Sequence, residues 1–75
     1  MMGQRYRSTI KWFSNLKGYG FLNPVTPNGR DIIVHHCEVR RREKNEYIQL
    51  HEGDQLEFTL TETEKGLRAL EVERV

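Results

Sequence analysis

Tyr19 and Phe21 stand two residues apart in the stretch KGYGFL, residues 17–22, with Gly18 before the first ring and Gly20 between the two. Side chains alternate across a strand, so both rings face one side while Gly18, Gly20 and Leu22 face the other. Glycine weakens a strand interior and marks a bend, a bulge or a close backbone approach, which suits a sheet curving tightly over a core that Leu22 helps to fill. Two rings left on the outer face, flanked by Lys11 and Lys17, make a platform on which unpaired bases can stack for about 1–3 kcal/mol each while the lysines meet phosphates. The competing reading is that rings at i and i+2 pack inward, as strand aromatics commonly do. Ile10, Leu22, Ile32, Val34, Val39, Leu56, Phe58, Leu60, Leu70 and Val72 already supply the core of one small barrel. Trp12, Phe13, Tyr19 and Phe21 would overfill it if all pointed inward.

The cluster His35-His36-Cys37 raises metal and thiol chemistry. Neighbouring strand residues point to opposite faces, so three in a row cannot converge on one tetrahedral ion, and His51 is the only other histidine. Catalysis by Cys37 needs a base on its own face and a third group to orient that base. His35 has the right parity but belongs to the base-stacking side, and Cys37 reads as a small, partly buried side chain. KGYGFL also lacks the G-x-x-x-x-G-K-[ST] spacing of a phosphate-cradling loop. No metal, cofactor, catalytic residue or small-molecule substrate is expected, and the chain reads as a binding protein rather than an enzyme.

These candidates need strands to carry them, and the chain supplies short ones. Aromatic and β-branched segments lie between turn formers: Tyr6 to Phe13, Lys17 to Asn23, Asp31 to His36, Gln55 to Thr61 and Leu67 to Val75. The turns fall at Ser14-Asn15, Pro24 with Pro27-Asn28-Gly29, Gly53-Asp54 and Lys65-Gly66. The long polar connection CEVRRREKNEY, residues 37–47, has no apolar stripe and room for at most one helical or 3₁₀ turn. Five strands without an amphipathic helix predict a small all-β barrel or sandwich.

At 75 residues there is room for one domain and one core. A net charge of +1 argues against holding nucleic acid by bulk charge alone, yet the charge is polarised. Residues 1–50 carry nine Lys and Arg against four Asp and Glu, residues 51–75 three against seven. Such a split marks either a basic working face or ordinary solvated surface. One cysteine precludes an internal disulfide and fits a reducing cytosol. No apolar run is long enough to span a membrane, and Met1 to Arg5 does not read as a secretion signal. A cytoplasmic location follows as the expectation.

The stretches KWFSNLKGYGFL, DIIVHH and LHEGDQLEF, in that order, resemble the cold-shock domain family over about residues 6–75. The resemblance implies a five-stranded antiparallel Greek-key β-barrel of the oligonucleotide/oligosaccharide-binding (OB) type whose exposed aromatic face binds single-stranded RNA and DNA. It puts Lys11, Trp12, Phe13, Lys17, Tyr19 and Phe21 on the binding face, Asp31 and His35 at polar binding positions, Tyr47 at the loop aromatic and Lys65 beside the last turn. It further implies an RNA chaperone that opens RNA secondary structure and affects transcription or translation. The alternative is an interaction module docking on protein or on structured ribosomal RNA.

Departures from the family pattern bear on the same site. Ile33 stands where the family has Phe and offers a base only apolar contact, and His36 stands where it has Phe or Tyr but keeps a flat π face. Ser14 replaces Asn and Cys37 replaces Ser. The loop Arg40-Arg41-Arg42 is more basic than the family shows there. Either these arginines extend the phosphate track and compensate for the lost rings, or they form an exposed ion-pair mesh with Glu38, Glu43 and Glu46.

Overall fold

Turn-forming residues separate the first strand from the second and the fourth from the fifth in the computed structural model, which describes residues 4–27 and 29–75. The strands are β1 (Tyr6–Ser14), β2 (Tyr19–Leu22), β3 (Ile32–His35), β4 (Gln55–Thr63) and β5 (Gly66–Arg74), with one 3₁₀ turn at His36–Glu38. Asn28 of the expected Pro27-Asn28-Gly29 turn lies outside the described residues, as do Met1, Met2 and Gly3. β2 starts later than expected because Gly18 adopts a φ of +79°, which keeps Lys17 and Gly18 in the turn. β3 stops at His35 because His36 opens the 3₁₀ turn.

The strands close into a barrel in the order β1-β2-β3-β5-β4, the five-stranded OB arrangement. Four of the pairings are antiparallel. The fifth is a short parallel seam between β3 and β5, at Ile32 with Leu67 and Ile33 with Arg68. β1 serves two partners: its first half pairs with β4 and its second half with β2. A bulge between Ile10 and Trp12 separates the halves. There the backbone of Ile10 turns to the Gly53-Asp54 turn instead, donating to the Asp54 carbonyl at 2.9 Å and accepting from the Gly53 amide at 2.8 Å.

Ile10, Leu22, Ile32, Val34, Val39, Leu56, Phe58 and Val72 fill the interior as expected, each worth about 1.5–3 kcal/mol of transfer free energy for the larger side chains. Ile48, Leu50 and Ala69 complete the core. Leu60 packs against it only in part. Leu70, expected inside, is only half-buried, and the reason is a second bulge. The β4–β5 register slips between Glu57 and Thr59, and Glu71 sits at a φ of +50°. One extra residue resets the alternation, so Ala69 and Val72 point inward and Leu70 does not.

The long connection is tied down at its far end by Asn15, in the β1–β2 turn. Its carboxamide Nδ2 donates to the Leu50 carbonyl at 2.8 Å, and its Oδ1 accepts from the Leu50 amide at 3.0 Å. Tyr47, Gln49 and His51 are exposed while Ile48 and Leu50 are buried, a strand-like alternation without a strand.

Candidate nucleic-acid interface

The bulge in β1 decides which rings reach the surface. Without it, Trp12 would share the inward parity of Ile10. With it, Lys11 and Trp12 are both exposed, Trp12 at 46%, and Trp12 lies opposite Phe21 while Phe13 lies opposite Gly20. Trp12 touches Tyr19 edge to face at a centroid distance of 5.8 Å and Phe21 at 6.0 Å. Tyr19 meets Phe21 at 6.4 Å and His35 at 5.8 Å. Four rings on three adjacent strands thus form one continuous outer surface, laid over Gly18, Gly20 and Leu22, all buried.

Gly20 is what lets this surface lie so close to β1. A methyl group there would run into the Trp12 carbonyl oxygen and come within 2.6 Å of the Phe13 Cα. No other residue permits that approach. Gly18 has a similar part: its backbone carbonyl accepts from the His36 amide at 2.9 Å. The His36 imidazole lies where a Gly18 side chain would be.

Phe13 is placed otherwise than expected. It is half-buried against the core and makes no ring contact with the cluster, because on its side of the bulge it faces inward with Gly20. Cys37, read as partly buried, is exposed on the 3₁₀ turn, where the strand alternation that would have tucked it in has ended. Tyr47 is 73% exposed in the loop and is in contact with none of the other rings. Ile33 lies between Phe21 and Arg68 across the sheet and is half-buried. Lys17 and Lys65 are exposed in the turns before β2 and β5. Lys11 and Asp31, expected to have separate roles, are paired at 3.0 Å on the exposed surface.

Arg68 was not among the sequence candidates. It is the cross-strand neighbour of Ile33, and its guanidinium reaches Glu38 at 3.4 Å. Burial holds the His35 imidazole below its ordinary value, and the Arg68 cation pushes it further down, opposed by Glu38. His35 is therefore neutral at pH 7 and presents a flat, uncharged ring. Arg68 is a polar residue between Leu67 and Ala69, so its outward parity was readable. Its place beside the rings depends on β5 closing on β3, which no local pattern reveals.

Arg40, Arg41 and Arg42 do not adjoin the rings. They sit with Glu73 and Arg74 around an indentation at the C-terminal end of β5. Among the described residues no group of three or more His, Cys, Asp or Glu side chains is placed to hold a metal ion, and no helix is long and apolar enough to cross a membrane.

Comparison with known proteins agrees with this geometry. The family model of the 'cold-shock' DNA-binding domain matches residues 6–75. The chain is 36% identical over 74 residues to the major cold shock protein CspA of Pseudomonas aeruginosa, covering 99% of this chain and all of that one. It is 37% identical over 67 residues to the major cold shock protein of Micrococcus luteus, covering 89% and 94%. The cold shock-like protein of Aquifex aeolicus is 37% identical over 67 residues, covering 89% and 90%.

Proposed function

The chain belongs to the cold-shock DNA-binding domain family, and from that premise we propose that it binds unpaired stretches of RNA or DNA by stacking bases on Trp12, Tyr19, Phe21 and His35. One observation carries the reading: four rings in mutual contact stay on the outer face of a barrel whose core is filled without them. Ring surfaces accept any base, so sequence preference is modest. His36 and Tyr47 supply further flat faces at the margins, Ile33 an apolar contact. Lys11, Lys17 and Lys65 meet phosphates, and Asp31, paired with Lys11, accepts from a base edge.

Holding unpaired bases loosely shifts RNA away from stable hairpins, so the protein acts as an RNA chaperone in the cytoplasm, easing transcription or translation. Nothing in the ring surface calls for turnover, a metal or a small-molecule substrate.

Trp12, the only tryptophan, reports on the proposal directly. Titration with a short pyrimidine-rich single strand quenches its fluorescence, and a duplex of matched sequence does not. Quenching by neither, with the protein folded, overturns the stacking model and favours docking on protein or structured RNA.

A further inference from the structure

Away from the rings, the loop after the 3₁₀ turn builds a second cationic feature around one carboxylate. Arg74 donates to both oxygens of Glu46, at 2.7 and 2.8 Å. The Arg42 amide donates to the same carboxylate at 2.7 Å, and the Glu46 carbonyl accepts from Arg41 Nε at 2.8 Å. Arg74 also reaches the Arg40 carbonyl, and Arg40 pairs with Glu73 at 3.0 Å. Hydrogen bonds from Arg74 and the Arg42 amide hold the Glu46 carboxyl down at about 2, so this knot is ionised and intact at neutral pH.

The knot shapes a shallow indentation of about 370 Å³ lined by Arg40, Arg41, Arg42, Glu73 and Arg74. Four guanidinium groups face two carboxylates there, leaving a surplus of positive charge. Among the described residues the Arg42 guanidinium has no partner, and Arg41 engages only its Nε, leaving both Nη groups free. Guanidinium forks with unused donors suit tetrahedral oxyanions, which they can grip in two places at once. Every lining residue is charged and most of the lining is polar, which suits an anion better than an apolar side chain.

Its distance from the rings follows from the strands. Glu73 lies between Arg40 and Arg5, the latter at 3.9 Å, and Arg5 directly precedes β1. Trp12 is seven residues further along β1, about 20 Å at roughly 3.3 Å per residue. Arg68 and Arg74 stand six residues apart on β5, giving a similar span. A strand seated on the rings must leave them and run along the barrel to arrive here.

Resting on single-strand binding at the rings, we propose that this arginine basin is a second, base-blind site, which takes phosphodiester groups of the same strand beyond the segment stacked on the aromatic face. Ring contacts then set which bases are held, and the basin sets how long a strand is needed for full affinity.

The test compares a hexamer, long enough for the rings alone, with a single strand of about 20 nucleotides, against wild type, Arg42→Glu and the charge-matched control Lys44→Glu. Lys44 is on the same loop but does not line the basin. The Arg42 side chain makes no contact that the fold needs, and Arg42→Ala serves as a second variant should the reversal perturb it. Expected for Arg42→Glu are an unchanged hexamer affinity and a loss of about three- to tenfold for the long strand at low salt. The salt slope should become shallower by about 0.7 for each phosphate that the variant no longer neutralises. Equal losses for both lengths, or an effect no larger than that of Lys44→Glu, overturn the proposal.

Inorganic tripolyphosphate, followed through the arginine Nε–H resonances, supplies the other arm. Tight binding of it, with long-strand affinity unmoved in Arg42→Glu, makes the basin a small-anion site and also overturns the proposal. Trp12 quenching by the hexamer is read in the same samples. If it fails while the long strand still responds to Arg42→Glu, the ring reading falls and the basin stands.

Discussion

The side chain of Asn15 closes a ring on the backbone of Leu50, giving one hydrogen bond and taking one, as a neighbouring strand would. It joins the β1–β2 turn to the end of the long loop and so fixes the buried Leu50 and Ile48 beneath exposed Tyr47. Asn15→Ala removes both bonds and leaves a backbone pair at a buried residue without partners. The expected cost is about 1–3 kcal/mol, read as a lower urea midpoint at unchanged slope. Asn15→Asp keeps the acceptor, loses the donor and should fall between. An Asn15→Ala midpoint equal to wild type would mean that the loop holds without this contact.

Gly20 and Gly53 resist alanine for different reasons, and the sizes should differ. At Gly20 the obstacle is the backbone of Trp12 and Phe13, which cannot move without undoing the bulge. Gly20→Ala should cost about 2–3 kcal/mol and lower Tm by roughly 10 °C or more. At Gly53 nothing crowds the new methyl, and only the φ of +89° opposes it, for a cost of about 1 kcal/mol. Thermal unfolding by circular dichroism ranks the two. A milder Gly20→Ala would show that β1 and β2 can part without harm.

Phe21 and Phe13 are eight residues apart and both aromatic, yet their alanine variants should separate affinity from stability. Phe21→Ala removes a ring from the outer surface and should weaken single-strand binding about fivefold to a hundredfold with little effect on folding. Phe13→Ala should do the reverse, costing about 2–3 kcal/mol of stability and leaving the affinity of the folded fraction within about threefold of wild type. Trp12 fluorescence reads binding and urea reads folding. Equal affinity losses in both would put Phe13 on the binding surface after all.

His35 should titrate below its ordinary 6.5. Between its folded midpoint and 6.5 the unfolded chain binds more protons than the native state, so stability rises with pH in that window and falls on acidification. Arg68→Ala removes a cation that disfavours the charged ring and should move the midpoint up. Glu38→Gln removes an anion that favours it and should move the midpoint down. NMR titration of the imidazole distinguishes them, and shifts of the same sign in both variants would contradict the arrangement of Arg68 and Glu38 around this ring.

Much of this was legible along the chain because it obeys period two. The five strands, eight of the core residues and the shared face of Tyr19 and Phe21 rest on alternation and turn residues, and the choice of the outer face rests on a core already filled by other residues. What failed were the places where the alternation is reset. The β1 bulge turns Phe13 inward and the β5 bulge turns Leu70 aside, and neither leaves a mark that a single sequence discloses: Glu71, at a positive φ, is not a residue type that announces one. Ile48 and Leu50 were readable, since YIQLH alternates, but the polar residues before them hid the pattern. The Lys11–Asp31 pair and the approach of Arg68 to Ile33 arise only from the way distant strands meet.

The seam between β3 and β5 is the shortest ladder in the barrel, two residue pairs followed by the lone bridge of Val39 with Val72. Strands β1 to β3 form a meander and β4 with β5 a hairpin, both closed by chain neighbours. The seam has to bring Ile32 to Leu67 from the far side of the long loop, in the parallel sense that forms slowly. Of the two ladders that join the meander to the hairpin, it holds the fewer residue pairs, two against the four between β1 and β4. Trp12, Tyr19, Phe21 and His35 all ride on the meander, so no ring of the outer surface comes from a strand across this seam.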